Sequence, residues 1–427
     1  MNVVTLLFGT FGLLLVLGAP ITVSLGVAAM AALYVLGNDL VYLVQVAYTS
    51  VDSFPIMALP AFILAGALME YAGISRRLVN LAESLAGPMT GGLASATVLA
   101  CAFFGAISGS GPATTAAVGM LMIPAMIARN YDKGYAAAVT ACSGGLGVVI
   151  PPSIPMVVYG VSGNQSIAKL FIAGFFPGFL IAGGLMGVNY LLCRKKGYRG
   201  TVHRWSARIV VKASKEGSWA ILAPIVILGG IYTGFFTPTE AAVVAIFYTL
   251  LVGIFIHREL RLPGVMKSLE ATTWLTGRVL LIMFTARAFG RLLVQYRIPE
   301  IIANFLLALT GNVYIIWAII IAFLIFVGMY METLATIMIL TPVLLPVMMK
   351  LGVDPIHFGV VLVCCCEIGF ETPPLGENLF IASGIADTTL EDISLKAIPF
   401  SIVEIGAVFL IAFIPPICLW LPSLLGY

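Results

Sequence analysis

Apolar runs fill this chain almost from end to end, separated by short polar breaks. A membrane-crossing helix needs roughly 20 apolar residues, and about ten such stretches, with shorter ones between them, can be laid along the chain. The first, Val3 to Leu17, has no basic start and no small-residue cleavage site, so it is read as a retained helix. The pattern predicts an all-α polytopic membrane protein.

Two runs are interrupted where an unbroken helix is expected, at Val149-Ile150-Pro151-Pro152-Ser153 and at Glu371-Thr372-Pro373-Pro374-Leu375. A proline pair removes two backbone donors and stops a helix. In hydrocarbon the freed carbonyls are costly unless they line a polar cavity. Pro124 precedes Pro151 by 27 residues and Pro342 precedes Pro373 by 31, and Ala19-Pro20 matches Thr237-Pro238 at the same offset of 218 as Pro124 and Pro342. Two related halves follow, 1–193 and 218–427. Interrupted helices at matching places in two halves are the mark of a secondary transporter.

Charge orients the halves. Residues 194–215 carry eight bases (Arg194, Lys195, Lys196, Arg199, Arg204, Arg208, Lys212, Lys215) and no acid, which makes 194–217 a solvated cytoplasmic linker. The Ile221–Phe236 run then leads outward, and Ala241–Ile256 returns to the basic His257-Arg258-Glu259-Leu260-Arg261. Inverting the first half puts Gly37-Asn38-Asp39 outside and Arg76, Arg77 and Arg129 inside. Of the 22 Lys and Arg, 16 fall inside, four outside (Lys169, Arg291, Arg297, Lys350), and two, Arg278 and Arg287, within a span. Inverted-topology repeats with both termini periplasmic are expected.

Each half also holds a predicted re-entrant hairpin. In the first, a run to Phe104 meets Gly105-Ala106-Ile107-Ser108-Gly109-Ser110-Gly111-Pro112, and Ala113–Ile127 returns. In the second, Ile315–Val327 meets Gly328-Met329-Tyr330-Met331-Glu332-Thr333, and Leu334–Met348 returns. Glycine permits close backbone approach at such tips, and hydroxyls can serve freed backbone groups.

Composition narrows the function. With 61% hydrophobic and 10% charged residues and a mean hydropathy of +1.09, a soluble domain with a polar shell is excluded. The seven Cys, including Cys364-Cys365-Cys366, show no metal-ligand spacing and read as small core residues. His203, His257 and His357 stand alone at loop-like places. HExxH, GxSxG and phosphate-loop patterns are absent from the sequence, so neither an enzyme nor a nucleotide-driven pump is expected. No nucleic-acid partner is expected; the bilayer is.

The candidate chemistry is cation binding by oxygen. Sodium, like other hard cations, suits carbonyls and hydroxyls at half-helix carboxyl ends. Ser108 and Ser110, facing Ser143-Gly144-Gly145 through Ser153, form one oxygen-rich group; the alternative is helix-to-helix packing in a small-residue seam. Glu332 and Thr333, facing Glu371-Thr372 through Asn378, form the second. Glu367, Glu371 and Glu377 are costly at mid-bilayer and not expected to be idle; Glu371 and Glu377 flank the break, and each is a candidate to compensate an ion's charge, carry a proton or cap a half-helix. Arg287 and Arg291, four apart on one helix face, are suited to attract a carboxylate but read first as snorkelling or paired with an acid, and are not assigned to substrate.

These residues resemble the large membrane subunit of tripartite ATP-independent periplasmic (TRAP) transporters, the DctM or SiaM type, over essentially the whole chain. The resemblance rests on Gly105 to Pro112 with Thr114-Thr115, on Gly144-Gly145-Leu146-Gly147 leading into Ile150-Pro151-Pro152-Ser153, and on Thr372-Pro373-Pro374 with Gly376 and Asn378. It implies an elevator mechanism, with a transport domain (about 92–162 and 312–386) sliding on a scaffold. It also implies sodium symport, with sodium at Ser108, Ser110 and Gly145 and at Gly328, Thr333 and Thr372. Gly109, Pro151, Pro152, Ser153, Glu332, Pro373, Pro374 and Asn378 are the candidate substrate-cavity residues. Glu332 departs from the Asp often found at the second tip.

The implied partners are a small four-helix membrane subunit and a periplasmic substrate-binding protein, in the bacterial inner membrane. The chain starts directly at the large subunit, in keeping with a small subunit on a separate polypeptide. The implied cargo is a small organic acid, with sialic acid (N-acetylneuraminate) the first expectation and C4-dicarboxylates or other carboxylates the alternative. Rival readings are a stand-alone sodium-coupled anion symporter of the same architecture, a channel, and an intramembrane enzyme using Glu367, Glu371 or Glu377.

Overall fold

The computed structural model describes residues 3–37, 39–198, 200 and 206–426, and every regular element among them is helical. Asn38, Arg199, His203 and Arg204 lie outside the described residues. Eleven helices position the site. The first hairpin is α1 (Gly92–Ser108) and α2 (Gly111–Ile127), followed by the broken helix α3 (Lys133–Gly144), α4 (Leu146–Val149) and α5 (Ile154–Ser162). The long α6 (Leu262–Gln295) precedes the second hairpin, α7 (Val313–Gly328) and α8 (Thr333–Lys350). The second broken helix is α9 (Pro355–Phe370) and α10 (Glu377–Ala386), and α11 (Leu390–Phe413) follows.

Local sequence fixes the ends of these helices. Asp132 caps α3 by accepting from the Tyr135 N–H at 2.8 Å, and Asp354 caps α9 from Ile356 at 2.7 Å and His357 at 3.2 Å. Ser110 and Ser153 cap α2 and α5. These side chains satisfy amide donors that the first turn of a helix leaves free. Both proline pairs fall between helices, at cis Pro151-Pro152 and cis Pro373-Pro374.

Among the described residues five helices are long and apolar enough to cross a membrane, Phe54–Tyr71, Ile167–Lys196, Pro238–Ile256, Thr333–Lys350 and Leu390–Phe413. Two bent pairs qualify jointly, and seven further apolar helices are shorter. The expected ten full-length spans are therefore fewer; of the shorter helices, Gly92–Ser108, Gly111–Ile127 and Val313–Gly328 are hairpin arms and Pro355–Phe370 is part of a broken helix. Large apolar side chains such as Trp274 and Phe247 are exposed, as is required where the solvent is lipid.

Three local expectations change. The first tip is shorter than expected, since α1 continues through Gly105 and ends only at Gly109, whose φ of 66° turns the chain. The described residues of the basic linker are largely helical: Ile167–Lys196 carries Arg194–Lys196 in its last turn, and Ala207–Glu216 forms an amphipathic helix against Ile74–Ala86. His357 is not in a loop; it is buried in α9 with Nε2 2.9 Å from the Ile411 carbonyl. The seven Cys are free and buried, as core residues should be.

The helices sort into two groups. Val3–Val16 packs on Ile21–Val35 and Pro238–Leu251 on Phe54–Tyr71, and α6 packs against both pairs. The hairpins and broken helices of both halves pack together, with α10 against α2 and α3, and α5 against α8. Each half's broken helix thus reaches into the other half.

Candidate functional site

The first tip is built by Gly109. Its carbonyl accepts from the Ile154 N–H at 3.1 Å, and a Cβ at Gly109 would lie 2.9 Å from the Pro152 carbonyl oxygen. A side chain is therefore excluded twice, by backbone conformation and by contact. The second tip is joined to its own break in the same way, the Met329 carbonyl accepting from Leu375 N–H at 3.1 Å. Gly328 and Gly369 meet backbone to backbone there, since a Cβ on Gly369 would be 2.7 Å from Gly328 Cα.

The first oxygen group is compact. Ser108 Oγ is 2.8 Å from Thr114 Oγ1, which in turn donates to the Ser110 carbonyl at 2.8 Å. Ser108 is buried and Ser110 is half-buried. Gly147, not Gly145, presses against Thr114 and the Ser110 carbonyl, whereas Gly145 turns to Glu371 and Glu367. Thr114 and Gly147 thus join Ser108 and Ser110, with hydroxyls and a carbonyl matching a hard cation's preference.

The second group is looser. Thr333 Oγ1 is buried beside the Glu367 carboxyl, without a hydrogen bond of good geometry among the described residues, and is a candidate oxygen ligand. Thr372 donates back to the Ile368 carbonyl at 2.7 Å. Glu332 occupies the N-cap of α8 but makes no capping bond; its carboxylate pairs with Arg278 of α6 at 2.9 Å.

Asn378, at the start of α10, ties the halves together. Its Nδ2 donates to Glu367 Oε1 at 3.1 Å, to Glu371 Oε1 at 3.3 Å and to the Ala141 carbonyl of α3 at 3.5 Å. Behind it, carboxyl oxygens of Glu371 and Glu404 and the Cys142 sulfur lie within 4.8 Å of one another, all buried.

Both tips open on one cavity of about 250 Å³. Gly109, Ser110, Glu332 and Thr333 line it among the sequence candidates, together with Arg278, Glu367 and Glu377. Pro151, Pro152, Ser153 and Asn378 are buried outside its lining; Gly145, Gly328, Thr372, Pro373 and Pro374 also lie outside it. Arg287 stands apart from it, donating to the Val161 carbonyl at 3.0 Å at the carboxyl end of α5. Arg278 and Glu404 were missed as site residues because spacing does not reveal which spanning charge meets a hairpin tip or a broken helix.

A family model described as "Tripartite ATP-independent periplasmic transporter, DctM component" matches residues 8–417. The chain belongs to this family. It is thus a transporter permease component, not an enzyme. The chain is 45% identical over 96% of its length to the isethionate TRAP transporter permease protein DctMQ of Oleidesulfovibrio alaskensis, and spans 65% of that longer relative. It is 36% identical to the sialic acid TRAP transporter large permease protein SiaM of Vibrio cholerae, over 99% of each chain. The C4-dicarboxylate TRAP transporter large permease protein DctM of Rhodobacter capsulatus is 34% identical, again over 99% of each. Among solved structures, the Alcanivorax borkumensis YdaH transporter superposes with a TM-score of 0.64 at 17% identity, covering 96% of this chain and 97% of the other. This TRAP permease therefore shares a transporter fold with a protein of unrelated wording.

Proposed function

We propose that this chain is the permease subunit of a sodium-coupled importer of a small organic acid, working by an elevator mechanism. The observation that carries the reading is the cavity shared by two hairpin tips, each backbone-bonded to its own proline break. In this reading 92–162 and 312–386 move as one transport domain, which the interlocking of the two halves supports. The remaining helices are the scaffold. Sodium is cargo, held at Ser108, Ser110 and Thr114 near the first tip and at Gly328, Thr333 and Thr372 near the second. Gly145 borders the two through Glu367 and Glu371.

The partners in this reading are a small membrane subunit and a periplasmic binding protein that delivers the acid. The description of the family as tripartite supports this. Inverted repeats with both termini periplasmic, in the bacterial inner membrane, complete it. The 45% relative makes isethionate the first probe of cargo, followed by N-acetylneuraminate and succinate.

The test is uptake of these labelled acids into proteoliposomes holding the chain and its small subunit, under an inward sodium gradient, with and without the binding protein. Uptake that needs sodium and the binding protein is expected. Sodium-driven uptake without the binding protein would favour a stand-alone symporter, and uptake indifferent to sodium would overturn the coupling. Ser108→Ala and Ser110→Ala should each lower uptake and weaken its sodium dependence; unchanged sodium curves would remove these residues from the ion site.

A further inference from the structure

Among the described residues lining the cavity, one side chain is basic, and it comes from neither hairpin. Arg278 stands midway along α6 with Nη2 2.9 Å from Glu332 Oε2. The Glu332 side chain is 13% exposed and the Arg278 side chain 48% exposed, and both line the cavity. A charge at this depth is costly and marks a functional position by default. The pair engages one nitrogen of a group that carries five donors.

The partner of Arg278 is unusual. Glu332 is the N-cap residue of α8, where a carboxylate would ordinarily accept from first-turn amides, yet it makes no capping bond and reaches across to α6. The amino end of an 18-residue helix is thereby left uncapped beside a guanidinium, with Thr333 and Leu334 of its first turn in the cavity wall. Uncapped first-turn amides and the positive end of a helix bind anions. A guanidinium matches a carboxylate or sulfonate in a two-point contact that a lysine cannot reproduce.

We propose that Arg278 and the uncapped amino end of α8 receive the acid group of the cargo, and that Glu332 holds the guanidinium until cargo arrives. The inference rests on the import reading above. It assigns to α6, which packs against Ile21–Val35 and Phe54–Tyr71, a direct part in recognising the substrate's charge. The incoming acid takes the place of the Glu332 carboxylate on Arg278, and the released carboxylate remains beside Thr333.

The test uses the native complex in proteoliposomes and whichever of isethionate, succinate or N-acetylneuraminate it takes up. Arg278→Gln should raise KM roughly 10- to 100-fold, the range of a lost charge-assisted hydrogen bond. The sodium concentration for half-maximal uptake should stay as in the native protein. Arg278→Lys, which keeps the charge and the ion pair but not the fork, should raise KM several-fold, and it carries the test should Arg278→Gln not fold. The exchange R278E/E332R rebuilds the ion pair in reverse and should remain impaired. Native KM in Arg278→Lys, or recovery of uptake in the exchange, would make the pair purely structural and overturn the proposal. No uptake of any probe by the native complex would sink the import reading and this inference with it, whereas native uptake insensitive to residue 278 would sink the inference alone.

Discussion

Gly109 and Asn378 show how single residues hold the site in shape. At Gly109 a side chain meets both a left-handed backbone, costly for an L-residue, and the Pro152 carbonyl. Gly109→Ala should therefore displace the first tip and abolish uptake, while the protein still inserts in the membrane; native uptake rates would show the tip to be tolerant. Asn378 donates to two buried carboxyl groups at once. Leaving buried carboxyl oxygens without their donor costs about 1–3 kcal/mol, so Asn378→Ala should lower the melting temperature in detergent, and an unchanged melt would show that water replaces the amide. Asn378 was legible in the sequence as a companion of the second break. Its bond to Ala141 of the other half was not, because a contact across 237 residues leaves no trace in local spacing.

At the scale of elements, the proline pairs act through what they remove. Replacing Pro151 and Pro152 by alanine restores two backbone donors and lets α4 run toward α5. The double variant should lose the Gly109 carbonyl to Ile154 bond and with it transport; retained transport would show that the break is set elsewhere. Helix ends outside the bilayer contribute differently. Burial pushes the Asp132 carboxyl up, but the Lys396 ammonium and the Tyr135 N–H outweigh it and hold the group below its ordinary value. A depressed carboxylate stabilises the fold above its unfolded value and loses that contribution as pH falls through the folded one. Thermal stability should thus decline on acidification below about pH 4, and Asp132→Asn should flatten that decline; an identical acid limb in both proteins would remove Asp132 as its source. The hairpins and breaks were legible within a few residues, because glycine and proline act locally. The continuation of α1 past Gly105 was not, since a three-residue stretch between two glycines, Ala106-Ile107-Ser108, carries too little pattern to separate helix from turn.

For the whole molecule, the proposed orientation rests on the excess of bases between the halves and after Pro238–Ile256. A cysteine introduced at Gly200 should react with an impermeant thiol reagent only from the cytoplasmic face. Labelling from the periplasm would overturn the inverted-repeat arrangement. The wide exposure of large apolar side chains fits a protein whose outer surface is lipid, and the two helix groups fit a division of labour between a fixed and a moving part.

Sequence by itself determined the membrane class, the two interrupted helices, the glycine tips and the family, because hydropathy, proline and glycine each act over a few residues. Tertiary structure decided which charges meet. It brought Arg278 of α6 to Glu332, Glu404 of α11 to Glu371, and Asn378 of one half to Ala141 of the other. Such pairings depend on how helices far apart in the chain cross and rotate in three dimensions. In a bilayer, where helices of similar hydropathy gain little from one neighbour over another, close packing and polar pairing make that choice.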